Sequence, residues 1–220
     1  MAKAAQEDGA KIHLNAKVKR IITSNGKVTG IELEDGQIVL GDHVIMNADF
    51  AYGVSNLLSK KERGKYTDTY LQTRKYSCST FMIYLGVSKK YDMPHHNIFF
   101  SGDYKQNVTE IFEGKGIPED PSFYVQNACA TDPSLAPEGK STLYFLVPVS
   151  NTLKAQVDWK AETKRLRDLI IEKFKQRTGF ADLEDHIEFE RIITPDDWHG
   201  SMNVYHGAVF NLAHSLDQML

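Results

Sequence analysis

Polar and hydrophobic residues alternate with a period of two between Lys11 and Asp49, and two dipeptides interrupt the alternation. These dipeptides, Asn25-Gly26 and Asp35-Gly36, are strong signals for two-residue hairpin turns. The strand candidates beside them are Val18–Thr23, Lys27–Glu34 and Gln37–Leu40. We therefore predict a three-stranded antiparallel meander, with two further short strands at Ile12–Leu14 and Asp42–Met46.

A helical period replaces the alternation over Phe50–Tyr70. The apolar positions that predict its buried face are Tyr52, Val54, Leu57 and Leu58. Within this stretch, the charged run Lys60–Arg63 is typical of a solvated turn rather than of a binding patch.

The longest amphipathic pattern spans Asp158–Arg177, and Gly179 follows it as a helix stop. Its apolar face consists of Leu166, Leu169, Ile170 and Phe174. Two shorter helices are predicted from their first residues. Asp103 caps one over Asp103–Phe112, and Thr194, followed by a proline, caps another.

Five more stretches read as strands, namely Tyr76–Val87, Asn97–Ser101, Ser122–Ala130, Ser141–Ser150 and His186–Thr194. Tyr76–Val87 is apolar on both faces, which predicts a strand covered on both sides. The turn-rich segment Asp132–Gly139 predicts a loop. Strands and helices together indicate a mixed α/β fold.

Composition narrows the possible classes of protein. The chain has 220 residues with 41% hydrophobic and 25% charged residues, which is close to globular averages. Its 26 basic and 29 acidic residues give a net charge of −3, so we expect no nucleic-acid partner. Two cysteines suit a reducing cytoplasm, and no apolar run approaches the roughly 20 residues that span a bilayer.

Both ends of the sequence look cut. Met1–Gly9 reads as the last turns of a helix, and His214–Leu220 stops without a turn signal. We therefore expect an internal fragment of a longer chain rather than a complete small protein.

Familiar catalytic motifs are missing from the sequence. It has no glycine-rich phosphate loop and no G-x-S-x-G elbow, while a Ser-His-Asp triad stays open because its members are distant in sequence. His95 and His96 are expected to point to opposite sides of a strand. The spacing of His199, His206 and His214 fits no standard ligand pattern, so no metal site is predicted.

Three groups of segments, in order along the chain, carry a family pattern. They are Gly9–Ile21, Gly30–Gly36 and Val44–Asp49; Tyr91–Phe100, Ile117–Tyr124 and Thr131–Gly139; and Asn203–Leu216. Together they resemble the bacterial-type phytoene desaturases, which are FAD flavoproteins of the amine-oxidase-like superfamily that dehydrogenate carotenoid precursors. The first group is shared with the wider superfamily, and the other two are typical of the carotenoid desaturase branch.

This resemblance implies two parts, a partial FAD-binding domain over residues 1–49 and a substrate-binding domain over residues 50–220. The second part is expected to hold a mixed β-sheet with flanking helices. The resemblance implies that Val18 lies beside the adenine of FAD and that Asn47, Ala48 and Asp49 lie near the cofactor. The family's two glycine-rich FAD segments are absent, so we expect this chain alone to bind FAD weakly or not at all and to be inactive.

The implied substrate is an apolar polyene, phytoene or its C30 analogue, held in a long apolar tunnel. The residues predicted to line it are Tyr84, Phe99, Tyr205, Gly207 and Ala208. Ordinary core packing is the alternative for the aromatic residues, and a tight turn is the alternative for the last three. The complete enzyme is expected to be cytoplasmic and peripheral to a membrane surface.

Other functions stay open at this stage. A carotenoid isomerase or oxygenase, or another flavoprotein of the same fold, would share most of these segments. A cofactor-free module that binds apolar ligands is an alternative from a different class. The substrate's chain length, the number of desaturation steps, the final electron acceptor, the proton-accepting residue and the oligomeric state are not fixed by the sequence.

Overall fold

Residues 1–219 are described by the structure, a computed structural model, and they form two units. The first unit is Met1–Arg74, and the second begins at Lys75. The mixed α/β class is confirmed, since helices and two sheets share the chain. The predicted division at residues 49 and 50 concerns the roles of the two parts, and it stays a prediction.

The first unit contains the predicted meander. Its elements are α1 (Ala2–Glu7), β1 (Val18–Ser24), β2 (Lys27–Leu33), β3 (Ile38–Leu40), α2 (Phe50–Leu57) and α3 (Asp68–Gln72). The strands pair antiparallel in the order β1-β2-β3, which confirms the meander. Asn25 and Gly26 have φ angles of 50° and 76°, as a primed hairpin turn requires.

The two short flanking strands were predicted wrongly. Neither Ile12–Leu14 nor Asp42–Met46 is a strand, and no sheet of residues 1–219 includes them. Leu14 and Ile45 are 82% and 93% exposed. An apolar run becomes a strand only when a neighbouring backbone accepts and donates its hydrogen bonds, and the described chain provides none here.

The predicted helix over Phe50–Tyr70 is interrupted. It begins as expected, because the Asp49 carboxylate accepts a bond of 2.8 Å from the Tyr52 amide. It ends early because Arg63 folds back and its guanidinium donates to the carbonyls of Ser55 and Leu58. These bonds satisfy the carbonyls at the end of α2, so the helix stops before the charged run.

The charged run forms the predicted turn. Its two lysines are solvated as expected, whereas Glu62 and Arg63 bond to neighbouring segments. Lys60 and Lys61 are exposed, as expected. Glu62 accepts bonds from Ser59 and from the Thr23 hydroxyl on β1, and these bonds lower its pKa to about 2. The turn therefore attaches to the meander through Glu62.

The second unit is built on one five-stranded sheet. Its elements are β4 (Ser79–Val87), β5 (His96–Phe99), α4 (Tyr104–Glu113), β6 (Phe123–Asn127), β7 (Ser141–Val149), α5 (Trp159–Thr178), β8 (Ile187–Ile193), α6 (Pro195–Gly200) and α7 (Leu216–Met219). The strand order is β5-β6-β7-β4-β8. The sheet was expected to be mixed, but every described pairing is antiparallel. The connections between β5, β6 and β7 reverse the direction of the chain, so these paired neighbours run in opposite directions.

The long helix α5 covers one face of this sheet. Leu166, Ile170 and Phe174 are fully buried, which confirms the predicted apolar face, and Leu169 packs at its margin. The sheet side of this core consists of Phe81, Ile83, Leu85, Phe123, Val125, Leu143, Phe145 and Val147. Asp158 caps α5 through the Ala161 amide, and Gly179 ends it with a φ of 77°.

A charged cluster joins α5 to the margin of the sheet. The Arg167 side chain, 16% exposed, lies 2.8 Å from the Glu184 carboxylate and 2.9 Å from that of Glu190. We expect Arg167→Met to lower the free energy of unfolding by about 1–3 kcal/mol, because it removes the cation of Glu190 and leaves Glu184 paired with Lys175 alone. Urea denaturation would measure this, with the exposed Arg165→Met as the matched control.

The same variant has an expected pH signature. The bonds from Arg167 and then Lys175 lower the pKa of Glu184 below its usual 4.5. A lowered carboxyl pKa gives stability above the usual value that is lost as pH falls. Stability of Arg167→Met should therefore decline less steeply below pH 4.5 than that of the parent chain. Parallel curves would contradict the assignment.

Candidate apolar-ligand site

The face of the sheet opposite α5 carries a row of tyrosines. Successive side chains of a strand point to opposite faces, so burying Ile83 and Phe145 under α5 turns Tyr84 and Tyr144 the other way. A groove with a volume of about 740 Å³ lies on this face. It is lined by Tyr84, Leu85, Gly86, Tyr124, Gln126, Thr142, Leu143, Tyr144 and Phe189.

The tyrosine rings contact one another across three strands. Tyr84 and Tyr144 face each other in register with ring centroids 5.3 Å apart, and Tyr124 meets Tyr144 edge to face at 5.9 Å. Burial raises the pKa of all three phenols, while the Arg191 charge opposes this at Tyr84. The groove lining therefore presents neutral rings and hydroxyls at physiological pH.

The floor of the groove includes Gly86, which faces Phe189 and Thr142 on the neighbouring strands. A Cβ atom at Gly86 would lie 3.3 Å from the Cβ of Phe189, so a side chain would enter the groove. Phe189 and Ile98 on this face are 58% and 64% exposed. A groove lined by aromatic and apolar residues, with a few hydroxyls and no charged lining residue, suits an elongated apolar ligand.

The predicted substrate residues do not all meet at this groove. Tyr84 lines it, whereas Phe99 lies on the opposite face and packs against Phe123 and Phe174, with ring centroids 4.8 and 5.7 Å away. The two aromatic side chains therefore cannot line one cavity from the same side of the sheet.

The other three predicted substrate residues lie in a turn that follows α6. The Tyr205 ring is 5.1 Å from that of Tyr76, and Ala208 is fully buried. Gly207 has a φ of 67°, and a Cβ there would lie 2.8 Å from the carbonyl oxygen of Pro195. At Gly207 the backbone therefore approaches another segment of the protein, as the tight-turn alternative predicts. A role of these three residues toward substrate stays a prediction.

The predicted FAD contacts lie in the first unit. Val18 is half-buried at the start of β1, opposite Leu33. Asn47 and Ala48 are exposed, and Asp49 is the cap of α2. An apolar side chain suits an adenine face, and the exposed polar residue Asn47 suits the polar parts of a dinucleotide, so these residues fit FAD. Their contact with FAD stays a prediction.

Of the residues that line the groove, the sequence analysis identified Tyr84 alone, and Tyr124 and Gly86 are two of those it missed. The signal was available in the alternation of β6, where Phe123 and Val125 are the buried set and Tyr124 must face the other way. A glycine inside an apolar strand is also a recognised sign of close approach by a ligand or backbone.

The prediction for the adjacent histidines was wrong. His95 and His96 have ring centroids 4.2 Å apart, because His95 precedes β5 and does not share its alternation. His95 lies between Gln126 and Thr131, while His96 bonds to the Tyr124 hydroxyl at 2.6 Å. Within residues 1–219, no group of three or more His, Cys, Asp or Glu side chains is arranged to hold a metal ion.

One serine–histidine–aspartate row exists in the second unit. His186 lies 2.9 Å from the Ser88 hydroxyl and 3.3 Å from the Asp182 carboxylate. Asp182 also pairs with Lys89, and the Ser88 amide bonds to the His186 carbonyl. These bonds tie the end of β4 to the segment before β8, and we interpret the row as structural.

Similarity to known proteins identifies the family of this chain. The family described as flavin containing amine oxidoreductase matches residues 1–216, so the chain belongs to it. A 4,4'-diapophytoene desaturase (4,4'-diapolycopene-forming) from Methylomonas sp. is 46% identical over the whole chain, and a zeta-carotene-forming phytoene desaturase from Myxococcus xanthus is 40% identical. The chain spans 43% and 42% of these two relatives.

A solved structure supports the fold. An oxidoreductase from Methanosarcina mazei aligns with 87% of this chain and 40% of its own length, at a TM-score of 0.51 and 19% identity. In the described part of the chain, no helix has the length and apolar character needed to cross a membrane.

Proposed function

We propose that this chain forms the substrate-facing part of an FAD-dependent carotenoid desaturase, which converts a CH–CH unit of phytoene or its C30 analogue to a double bond. The observation that carries the proposal is the match of the whole chain to a diapophytoene desaturase. The open groove supports it, since a polyene has no charged group and the groove lining offers none.

The cofactor of this proposal is FAD. Val18 and the Asn47–Asp49 segment would contact it, and when bound the flavin supplies the two-electron acceptor of the reaction. The residues of the groove would orient the polyene and exclude water from it. Because the polyene is insoluble in water, we further propose that the complete enzyme works at a membrane surface.

The chain alone is expected to bind FAD weakly or not at all. Its 220 residues include no glycine-rich loop to receive the pyrophosphate, which in dinucleotide sites sits on a helix N-terminus. Titration of the chain with FAD, followed by flavin fluorescence, should show no stoichiometric complex. Tight one-to-one binding would contradict this expectation.

Expression of the complete reading frame tests the proposed function. Hosts that accumulate phytoene or its C30 analogue should yield extracts with absorption bands shifted to longer wavelength, and the responding host identifies the chain length. Flavin-loaded protein without a new pigment in either host would contradict the proposal. It would point instead to an isomerase, an oxygenase or another flavoprotein of the same fold.

A further inference from the structure

One hydroxyl in the groove is joined to an exposed ionisable group. The Tyr124 hydroxyl lies 2.6 Å from Nδ1 of His96, a distance typical of a strong O–H···N bond. Tyr124 lines the groove, while His96 is exposed on the edge strand β5. The pair therefore leads from the apolar groove to solvent.

The neighbouring His95 is held as a different tautomer from His96. The Gln126 amide donates to Nε2 of His95 at 3.0 Å, so Nδ1 of His95 carries the proton that it donates to the Thr131 hydroxyl at 2.5 Å. Both nitrogens of His95 are thus occupied, and its ring lies 4.2 Å from that of His96. His96 uses only Nδ1 in its bond to Tyr124, which leaves Nε2 for exchange with water.

Desaturation creates a need for such a path. Forming a double bond removes a hydride from one carbon and a proton from the next. A bound flavin would supply the acceptor for the hydride and its electron pair, whereas the proton must depart from a groove whose lining carries no carboxylate or amine.

We infer that Tyr124 and His96 form the proton exit of the groove, an inference that rests on the proposed function. The substrate C–H bond breaks and its electron pair becomes the new C=C bond. The proton adds to the Tyr124 oxygen as the phenolic proton moves to Nδ1 of His96, and His96 releases a proton from Nε2 to water. Tyr124 touches the substrate, and His96 acts through it.

The titratable groups that face His96 are Tyr124 and His95. A protonated His96 cannot accept the phenolic proton, so the relay requires the neutral ring. Replacing either partner of the pair should therefore change how the rate depends on pH.

Purified complete enzyme, loaded with flavin and supplied with polyene in lipid vesicles, tests the inference. Tyr124→Phe and His96→Ala should each lower kcat about 100-fold, the usual size of a general acid–base contribution, with KM little changed. Added imidazole should restore activity to His96→Ala and not to Tyr124→Phe. The exposed Tyr104→Phe and His214→Gln are matched controls that should behave like the parent enzyme.

A second readout uses this chain without flavin. In nitrogen-15 NMR spectra, the His96 resonances should report an Nε2-protonated neutral ring, and Tyr124→Phe should shift the Nδ1 resonance while circular dichroism stays the same. Parent enzyme that desaturates the polyene while both variants keep its rate and pH profile would overturn the relay alone. Parent enzyme that forms no double bond would overturn the proposed function and the relay with it.

Discussion

Replacing Phe174 by alanine is expected to lower the free energy of unfolding of the second unit by about 3–5 kcal/mol, the usual cost of removing a buried phenylalanine. Phe174 is fully buried on α5 and lies at the centre of an aromatic cluster. Its ring centroid is 5.1 Å from that of Phe145, 5.7 Å from that of Phe99 and 6.0 Å from that of Phe180. Truncation removes contacts to three neighbours and leaves a cavity that they cannot fill without moving the sheet.

Denaturant unfolding of the second unit would measure this loss. Phe174→Leu should be milder because it keeps most of the buried volume. Phe112→Ala is the matched control, since Phe112 lies on α4 but is 54% exposed. Equal effects at Phe174 and Phe112 would mean that α5 does not close the core as described.

The elements that the sequence predicted well are those whose signals are local. The hairpin at Asn25-Gly26 and the caps at Asp103 and Thr194 depend on residues within three positions of one another. The strand predicted over Tyr76–Val87 is found as β4 (Ser79–Val87), which pairs on both of its edges. The prediction that both of its faces are covered was wrong at Tyr84, because that side chain borders the open groove.

The errors concern contacts that hydrophobic periodicity does not specify. Leu58 would continue α2 on local preference, but the guanidinium of Arg63 takes the carbonyls that end the helix. Ile12–Leu14 and Asp42–Met46 have strand composition, yet strand formation depends on a pairing partner that no local pattern specifies. Alternation also could not decide which sheet face α5 would cover, so Phe99 was grouped with Tyr84 although they lie on opposite faces.

The sequence predicted the chemical character of the candidate site better than its position in the fold. An apolar, uncharged ligand surface followed from the family resemblance and from the missing catalytic motifs. Its position depends on the antiparallel register that puts Tyr84 opposite Tyr144 and brings Gly86 beside Phe189. These pairs join residues roughly sixty to a hundred positions apart, beyond the reach of local pattern.

Filling the floor of the groove at Gly86 is expected to remove apolar-ligand binding. Gly86 has an ordinary strand conformation, so Gly86→Ala and Gly86→Val are compatible with the backbone of β4. The contact of 3.3 Å is with the Cβ of Phe189, so the edge strand β8 must shift by a few tenths of an ångström to admit the new atom. Stability should therefore change little while the volume available to a ligand falls.

The expected losses follow the size of the new side chain. Each methylene of a polyene displaced from the groove costs about 0.8 kcal/mol, and 1.4 kcal/mol is about tenfold in affinity. A valine at position 86 that displaces about two methylenes should therefore weaken binding about tenfold, and the larger Gly86→Phe should abolish it. Quenching of tyrosine fluorescence by a soluble polyene analogue would follow binding to this chain. Gly200→Val, at an exposed position with open space, is the matched control. Because Gly86 lies on the face away from α5, graded loss in the order Ala, Val, Phe would assign the ligand to the tyrosine face, whereas unchanged binding in all three variants would assign it elsewhere.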